Sequence, residues 1–296
     1  SVGGELSRTQ GSRFNYNASG EVWLIGEHVG DMNIDGKTDL NIRLGKRDTL
    51  VANLHAGFMH RKPTFFFRHF HSQSTWWDNY DLSREVRFKV DGTLRLKKLG
   101  TKLQVGFENV SNYTYFGMQN TLLKGKDAKS VIPTDFSHAV GVMQADNVQV
   151  FGASLSQELK WKIVHWDNRI SYQTSSNQDA LPLPTVDVYT NLYLLFRIAK
   201  VMRVQLGADM RFFTSYYAPD YSPAIQQFAV QDTNHERIEI GNYPIIGAYA
   251  NLHLKRCRIY VSARHVNAGS GHSFLVPHYP INPMTIHFGL SWNFFN

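Results

Sequence analysis

The sequence predicts an all-β fold, an antiparallel up-and-down transmembrane β-barrel with about 12 strands in this chain, standing alone or as part of a larger barrel. Three observations predict it. Apolar and polar residues alternate over long segments, every second connection between segments is long, and the chain closes on an aromatic-rich strand.

The alternation has period two, the repeat of a strand with unlike faces. Val86, Phe88, Val90, Gly92, Leu94 and Leu96 alternate with Arg87, Lys89, Asp91, Thr93 and Arg95. Met202, Val204, Leu206, Ala208, Met210 and Phe212 alternate with Arg203, Gln205, Gly207, Asp209 and Arg211. Met284 to Phe294 repeats the pattern. Such segments begin near Phe14, Lys37, Leu50, Arg84, Thr101, Val148, Lys162, Asp187, Met202, Pro244, Arg258 and Met284. No linker separates them, so residues 1–13 read as an N-terminal segment or linker and 14–296 as one barrel.

Alternation also occurs in soluble sandwiches, and the connections separate the two. Short turns at Gly45 to Asp48, Lys97 to Gly100, Lys160 to Trp161, Ala199 to Val201 and Lys255 to Cys257 alternate with long loops near 61–82, 116–137, 174–186, 214–243 and 267–283. A barrel with short periplasmic turns and long extracellular loops has that asymmetry, whereas Greek-key sandwiches mix their loop lengths. Many segments reach the ~9–11 residues that cross a bilayer at a tilt. Tyr113, Tyr115, Trp161, Tyr216, Tyr217 and Trp292 stand near segment ends, where amphipathic rings suit the headgroup level. The terminal run Ser291-Trp292-Asn293-Phe294-Phe295-Asn296 resembles the strand by which the barrel-assembly machinery recognises its clients.

Composition narrows the function classes. The 19 Phe, 14 Tyr and 6 Trp favour strands. The longest near-apolar run, Tyr193 to Ala199, is broken by Arg197, far short of the ~20 apolar residues of a membrane helix. A mean hydropathy of −0.32 does not speak against a barrel, because lipid-facing and interior residues cancel along each strand. Cys257 is the single cysteine, so no internal disulfide or zinc-thiolate spacing exists. The start Ser1-Val2-Gly3-Gly4 lacks a charged and apolar leader, as expected if a signal peptide has been removed or the chain is cut. The net charge of +7 is spread along the chain without a basic stripe, which argues against nucleic acid as a partner.

Several irregular stretches carry a family resemblance. They are Phe70-His71-Ser72 with Trp77-Asp78-Asn79, Ser171-Tyr172-Gln173-Thr174-Ser175-Ser176-Asn177, Leu181-Pro182-Leu183-Pro184, Tyr216-Tyr217-Ala218-Pro219-Asp220-Tyr221-Ser222-Pro223-Ala224 and Phe274-Leu275-Val276-Pro277-His278-Tyr279-Pro280. With the closing Gly289-Leu290-Ser291-Trp292-Asn293-Phe294, they resemble the putative porin family of the Bacteroidetes outer membrane. The resemblance implies a bacterial outer-membrane location. It also implies a longer parent with a signal peptide and upstream strands, of which this chain is a C-terminal portion.

If the apolar face meets lipid, the opposite face lines the interior with Arg43, Arg87, Lys89, Arg95, Lys102, Lys162, Arg169, Arg197, Arg203, Arg211 and Arg264 against Glu85, Asp91, Glu108, Glu158, Asp167 and Asp209. Two accounts of this basic face stay open: a field that favours anions in a channel, or ion pairs that fill the interior. Asp31, Asn33 and Asp35 match the first half of a calcium loop, but Ile42 stands where a bidentate glutamate belongs, so an Asp/Asn/Gly hairpin turn is the better reading. His69 and His71, with His55 and His60 nearby, lack supporting acidic or cysteine spacing, and no metal is expected. Gly269-Ser270-Gly271 lacks the spacing of a nucleophile elbow, so no enzyme and no cofactor are expected.

The expected function is a porin-like channel for passive diffusion of small polar solutes, weakly anion-preferring. The alternative is a closed or plugged barrel whose long loops bind a ligand, a partner lipoprotein or a second copy of the chain. Tyr216, Tyr217, Tyr221 and Phe228 suit either a binding surface or a constriction.

Overall fold

The computed structural model describes residues 1–44, 48–73, 75–118, 140–234, 236–271 and 274–294, and the backbone of 123–124 and 131–132. Thirteen strands form one sheet: β1 (Val2–Arg8), β2 (Phe14–Val22), β3 (Met32–Leu44), β4 (Asp48–Arg61), β5 (Glu85–Leu96), β6 (Thr101–Met118), β7 (Val140–Trp161), β8 (Val164–Ser175), β9 (Val186–Ile198), β10 (Met202–Phe213), β11 (Ile245–Leu254), β12 (Cys257–Arg264) and β13 (Thr285–Trp292). Each pairs antiparallel with its neighbour in sequence, which is the up-and-down meander the alternation predicts. Among the described residues β1 and β13 are not paired with each other, so the sheet is an open barrel wall.

Each of the expected segments contains a strand. The thirteenth, β1, falls in the stretch read as an N-terminal segment or linker, where Val2↔Val22 through Arg8↔Tyr16 pair it with β2. Its alternation was faint because Gly3 and Gly4 contribute no side chain to either face. Bounds also move. β7 starts at Val140 rather than Val148, and Lys162 lies in the β7–β8 turn rather than on the interior face, with φ 54. The turn there is 162–163 rather than Lys160 to Trp161.

Connection length alternates throughout. The short turns 97–100, 162–163, 199–201 and 255–256 share one end of the sheet, and the connections 23–31, 62–84, 176–185, 214–244 and 265–284 share the other. The turn Gly45 to Asp48 and the loop 116–137 lie mostly outside the described residues. Left-handed backbone at Gly100 (φ 65), Ala199 (φ 51), Lys200 (φ 60) and Lys255 (φ 51) reverses the chain within these tight hairpins.

The sheet is apolar on the face a soluble protein would hide. Cross-strand pairing sets Ala52, Leu94, Leu103, Leu155, Ile170 and Val188 in one row on one face. Leu94 is 46% exposed and Ile170 51% exposed. A continuous apolar band of that kind has a solvent to match only in lipid. Close backbone approach shapes the other face at Gly207, where a Cβ would come within 2.6 Å of the Tyr249 ring and 2.7 Å of Tyr193 Cβ. Glycine there lets both rings lie across β10.

The two longest strands exceed the length that crosses the hydrocarbon core. β7 has 22 residues and β6 has 18, against the ~9–11 that cross a bilayer. Their upper ends meet loops 62–84 and 214–244 in an apolar cluster of Trp77, Phe116, Met118, Val140, Ile225 and Ala229, flanked by Phe66, Phe67, Phe70 and Val142. The only close-packed apolar centre found among the described residues thus sits at the long-loop end and fixes those loops.

Candidate functional site

Side chains that face each other across an antiparallel pair lie on the same side of a sheet. Following the register from β3 to β13 places Arg43, Glu85, Arg87, Lys89, Asp91, Arg95, Lys102, Glu108, Arg169, Arg197, Arg203, Asp209, Arg211 and Arg264 on one polar face, together with Glu158 and Asp167. Lys162 is the member of the expected set that leaves it.

The face divides into unlike regions. Away from the short-turn end, the charges of β3 to β6 are matched: His55 Nε2 lies 2.6 Å from Asp35 and its Nδ1 2.8 Å from Asp91, with Lys37 to Asp35 at 2.9 Å, Lys89 to Asp91 at 3.4 Å and Arg87 to Glu108 at 3.0 Å. In β8 to β12, Arg169, Arg197, Arg203, Arg211 and Arg264 have no carboxylate partner among the described residues. Neutral groups surround them instead. Tyr249 donates to Asn191 Oδ1 at 2.9 Å, Asn251 donates to Gln205 Oε1 at 3.3 Å, and Arg211 stacks 5.7 Å from the Tyr189 ring.

Toward the short-turn end, like charges stand directly opposite. Arg95 pairs with Lys102 and Arg197 with Arg203, and Arg203 is in turn opposite His253, which is opposite Arg258. Directly facing like charges are unfavourable unless water or counter-ions screen them. Arg203, His253 and Arg258 line a cavity of about 440 Å³ with Tyr193, Leu195, Gln205 and Asn251.

At the other end, loops lie over the same face. Pro184, Tyr216 and Leu275 close a cavity of about 400 Å³ against Gln104, Ser154, Arg169 and Asp187. Loop 214–244 leaves β10 and reaches β6, passing the ends of β7, β8 and β9. It is held there by Val230, whose N–H donates to Phe116 O at 2.8 Å and whose carbonyl accepts from Met118 N at 2.7 Å. The four aromatic candidates separate. Tyr216 turns toward the polar face, whereas Tyr217 lies under Arg237 at 4.1 Å, and Tyr221 packs on Phe228 at 5.6 Å and on Tyr279 at 5.7 Å.

The Asp31 to Gly36 motif is neither a calcium loop nor a hairpin turn. Asn33 and Asp35 are strand residues opposite Glu21 and Ser19, and an extended backbone cannot wrap its side chains around one ion. The turn is formed upstream, with Gly26 at φ 85 and Gly30 at φ 87. Asp31 is 2% exposed and ties three segments together: it accepts from Lys62 N at 3.1 Å and from Arg84, and meets His28 Nδ1 at 2.9 Å. Burial by itself would raise its carboxyl pKa, but the Lys62 amide, His28 and Arg84 outweigh that and hold it below the ordinary aspartate range.

Asp31→Ala is therefore expected to free loop 62–84 at a cost of about 3 kcal/mol, since Arg84 loses its buried partner. Limited proteolysis of that loop measures it. Because the folded carboxyl is depressed, its contribution is complete above about pH 4 and is lost as pH falls through the lowered folded value. Cleavage of the wild type should rise only in that acidic window, and Asp31→Ala should be cleaved at neutral pH.

The histidines named from sequence do not form one cluster. His55 belongs to the polar face, and His60 bonds Gly30 O at 3.1 Å. His69 and His71 do stand together, joined by Asp78, which sequence reading left out because its partners are reached only through a hairpin. Ser270 Oγ donates to Asn267 O at 2.8 Å within a loop turn.

A meander with an apolar outer band, a charged opposite face, short turns at one end and packed loops at the other defines an outer-membrane β-barrel. The chain belongs to the family described as putative porins, which matches residues 1–296. Family and fold together place it in the bacterial outer membrane. Among solved structures it is similar to the siderophore receptor PirA from Acinetobacter baumannii, with TM-score 0.58 and 11% identity over 97% of this chain and 44% of that one. It is also similar to the ferric enterobactin receptor PfeA, with TM-score 0.55 and 11% identity over 94% and 45% of the two chains. PirA from Pseudomonas aeruginosa gives TM-score 0.50 and 10% identity over 98% and 55%. The chain thus spans about half the length of these receptors, and at such identities the likeness is one of fold. No curated protein matches the sequence.

Proposed function

We propose that this chain forms the wall of a porin-like channel in a Bacteroidetes outer membrane, passing small polar solutes by passive diffusion with a weak preference for anions. The observation that carries the reading is the set of uncompensated cations on the polar face. Arg95 opposite Lys102 and Arg197 opposite Arg203 are tolerable against water and mobile anions and costly in a dry, filled interior. A charged wall around a narrow aqueous path focuses its field and raises the local anion concentration. The ion pairs of β3 to β6 stiffen the wall away from the short-turn end, so both accounts of the charged residues apply, each to its own region. Neither covalent chemistry nor a cofactor enters this function.

Reversal potentials across a bilayer with a salt gradient test the reading. A preference for anions is expected, and a preference for cations contradicts it.

One observation favours a second reading, a plugged barrel with a binding surface. Loop 214–244 is packed down at its tip, with Ile225 at 5% and Ala229 at 1% exposure, while Phe228 beside them is 56% exposed. In that reading Tyr217, Tyr221 and Phe228 contact a ligand, a lipoprotein or a second copy of the chain, and the barrel is electrically silent.

A further inference from the structure

Loop 62–84 contains a hairpin in which residues 69–71 pair with 76–78 in the register His69↔Asp78, Phe70↔Trp77 and His71↔Trp76. Alternation gives the hairpin two unlike faces. Phe70 and Trp77, with ring centroids 4.9 Å apart, point into the apolar cluster, where Trp77 also packs on Phe116 at 5.7 Å. The other face carries His69, His71 and Asp78 toward solvent.

The backbone beneath these three side chains is fixed. Trp77 Nε1 donates to Phe66 O at 2.9 Å, Asn79 Nδ2 donates to Phe67 O at 3.1 Å, and Asn79 N donates to Arg68 O at 2.6 Å, which lashes the hairpin to the helical turn Phe65–Arg68. The His-X-His spacing puts two imidazoles on one side of a strand, with ring centroids 4.5 Å apart. The partner strand brings Asp78 between them, its carboxylate meeting His69 Nδ1 and, at 2.9 Å, His71 Nε2. One donor atom from each residue falls within 4.8 Å of the other two.

We propose that His69, His71 and Asp78 form a binding site for a first-row divalent cation of the zinc class on the outer loop surface of the barrel. Two neutral imidazoles and one carboxylate are the borderline donor set that zinc takes, whereas calcium and magnesium call for oxygen donors throughout. Donors up to 4.8 Å apart close on a cation, which sits ~2.0–2.2 Å from each, by small side-chain rotations and without moving the backbone. Three protein ligands leave a coordination position open to water or to a donor on a solute. The site stands apart from the polar face of the wall, and its existence does not depend on whether the barrel conducts.

The test is calorimetric titration of Zn²⁺ into the whole chelator-stripped protein in detergent, paired with Co²⁺ absorption as a report on nitrogen ligation. Saturable uptake of one equivalent is expected at this site. Affinity should fall at least tenfold in His71→Ala and in the near-isosteric Asp78→Asn, while His60→Ala keeps it. Heat-modifiable migration on gels establishes that each variant retains its barrel. No saturable zinc uptake by the wild type, or uptake and Co²⁺ bands unchanged in the His69→Ala/His71→Ala double variant, overturns the proposal.

Discussion

Val230→Pro is expected to raise the single-channel conductance severalfold. The substitution acts on the point where loop 214–244 is pinned to β6. It deletes the N–H that donates to Phe116 O, and the proline ring disturbs the companion bond from Met118 N to the Val230 carbonyl. Losing both costs about 2 kcal/mol, which lowers the ratio of pinned to released loop by a factor of about 30. Arg237, bonded to Asp179 at 2.8 Å, is a further polar tether of the loop, beside the apolar packing of Ile225 and Ala229. Val230→Pro with Arg237→Ala should therefore open the mouth further than either alone. Conductance unchanged in the double variant means that this loop does not narrow the path.

Charge reversal at the short-turn end has the second large effect expected. Arg197 and Arg203 face each other and neither is ion-paired with a carboxylate among the described residues, so each Glu replacement changes the local charge by two units without breaking an ion pair. Arg197→Glu/Arg203→Glu should move the reversal potential toward cations and, with Arg95→Glu and Lys102→Glu added, past zero. The neutral set with Gln at the same positions should fall between. Arg87→Gln/Glu108→Gln is the contrasting control, because it removes both members of an ion pair 3.0 Å apart, leaves the net charge of the wall unchanged and should leave the reversal potential where it was.

Much of this was legible in the sequence because a barrel wall obeys a period-two rule that needs no tertiary information. Val86 to Leu96 reads directly as β5, and Arg197, Arg203 and Arg211 fall on the polar face by parity alone. The rule fails where side chains are missing or ambiguous. β1 carries two consecutive glycines and shows no clear alternation, and Asn33, Asp35 and Gly36, residues typical of turns, are held extended by β2 on one side and β4 on the other. In those places pairing with neighbouring strands overrides local preference.

The loops obeyed no such rule. Tyr216 and Tyr217 are adjacent in sequence yet have separate roles, because only the folded loop decides which turns toward the polar face. Asp78 is hidden in the sequence for the same reason. A metal-ligand spacing scan sees His69 and His71, but the carboxylate arrives from the opposite strand of a hairpin whose register is set by Phe70 on Trp77. The division of the polar face into a paired region and an unpaired one also lay beyond parity, which assigns a face and not a partner.

Single-channel recording of the whole protein in a planar bilayer tests the central claim most directly. A channel wall with uncompensated arginines and a pinned loop should give steady, long-lived open steps whose size grows when Val230 is replaced by proline. A membrane that stays silent after verified insertion of the folded barrel contradicts the account.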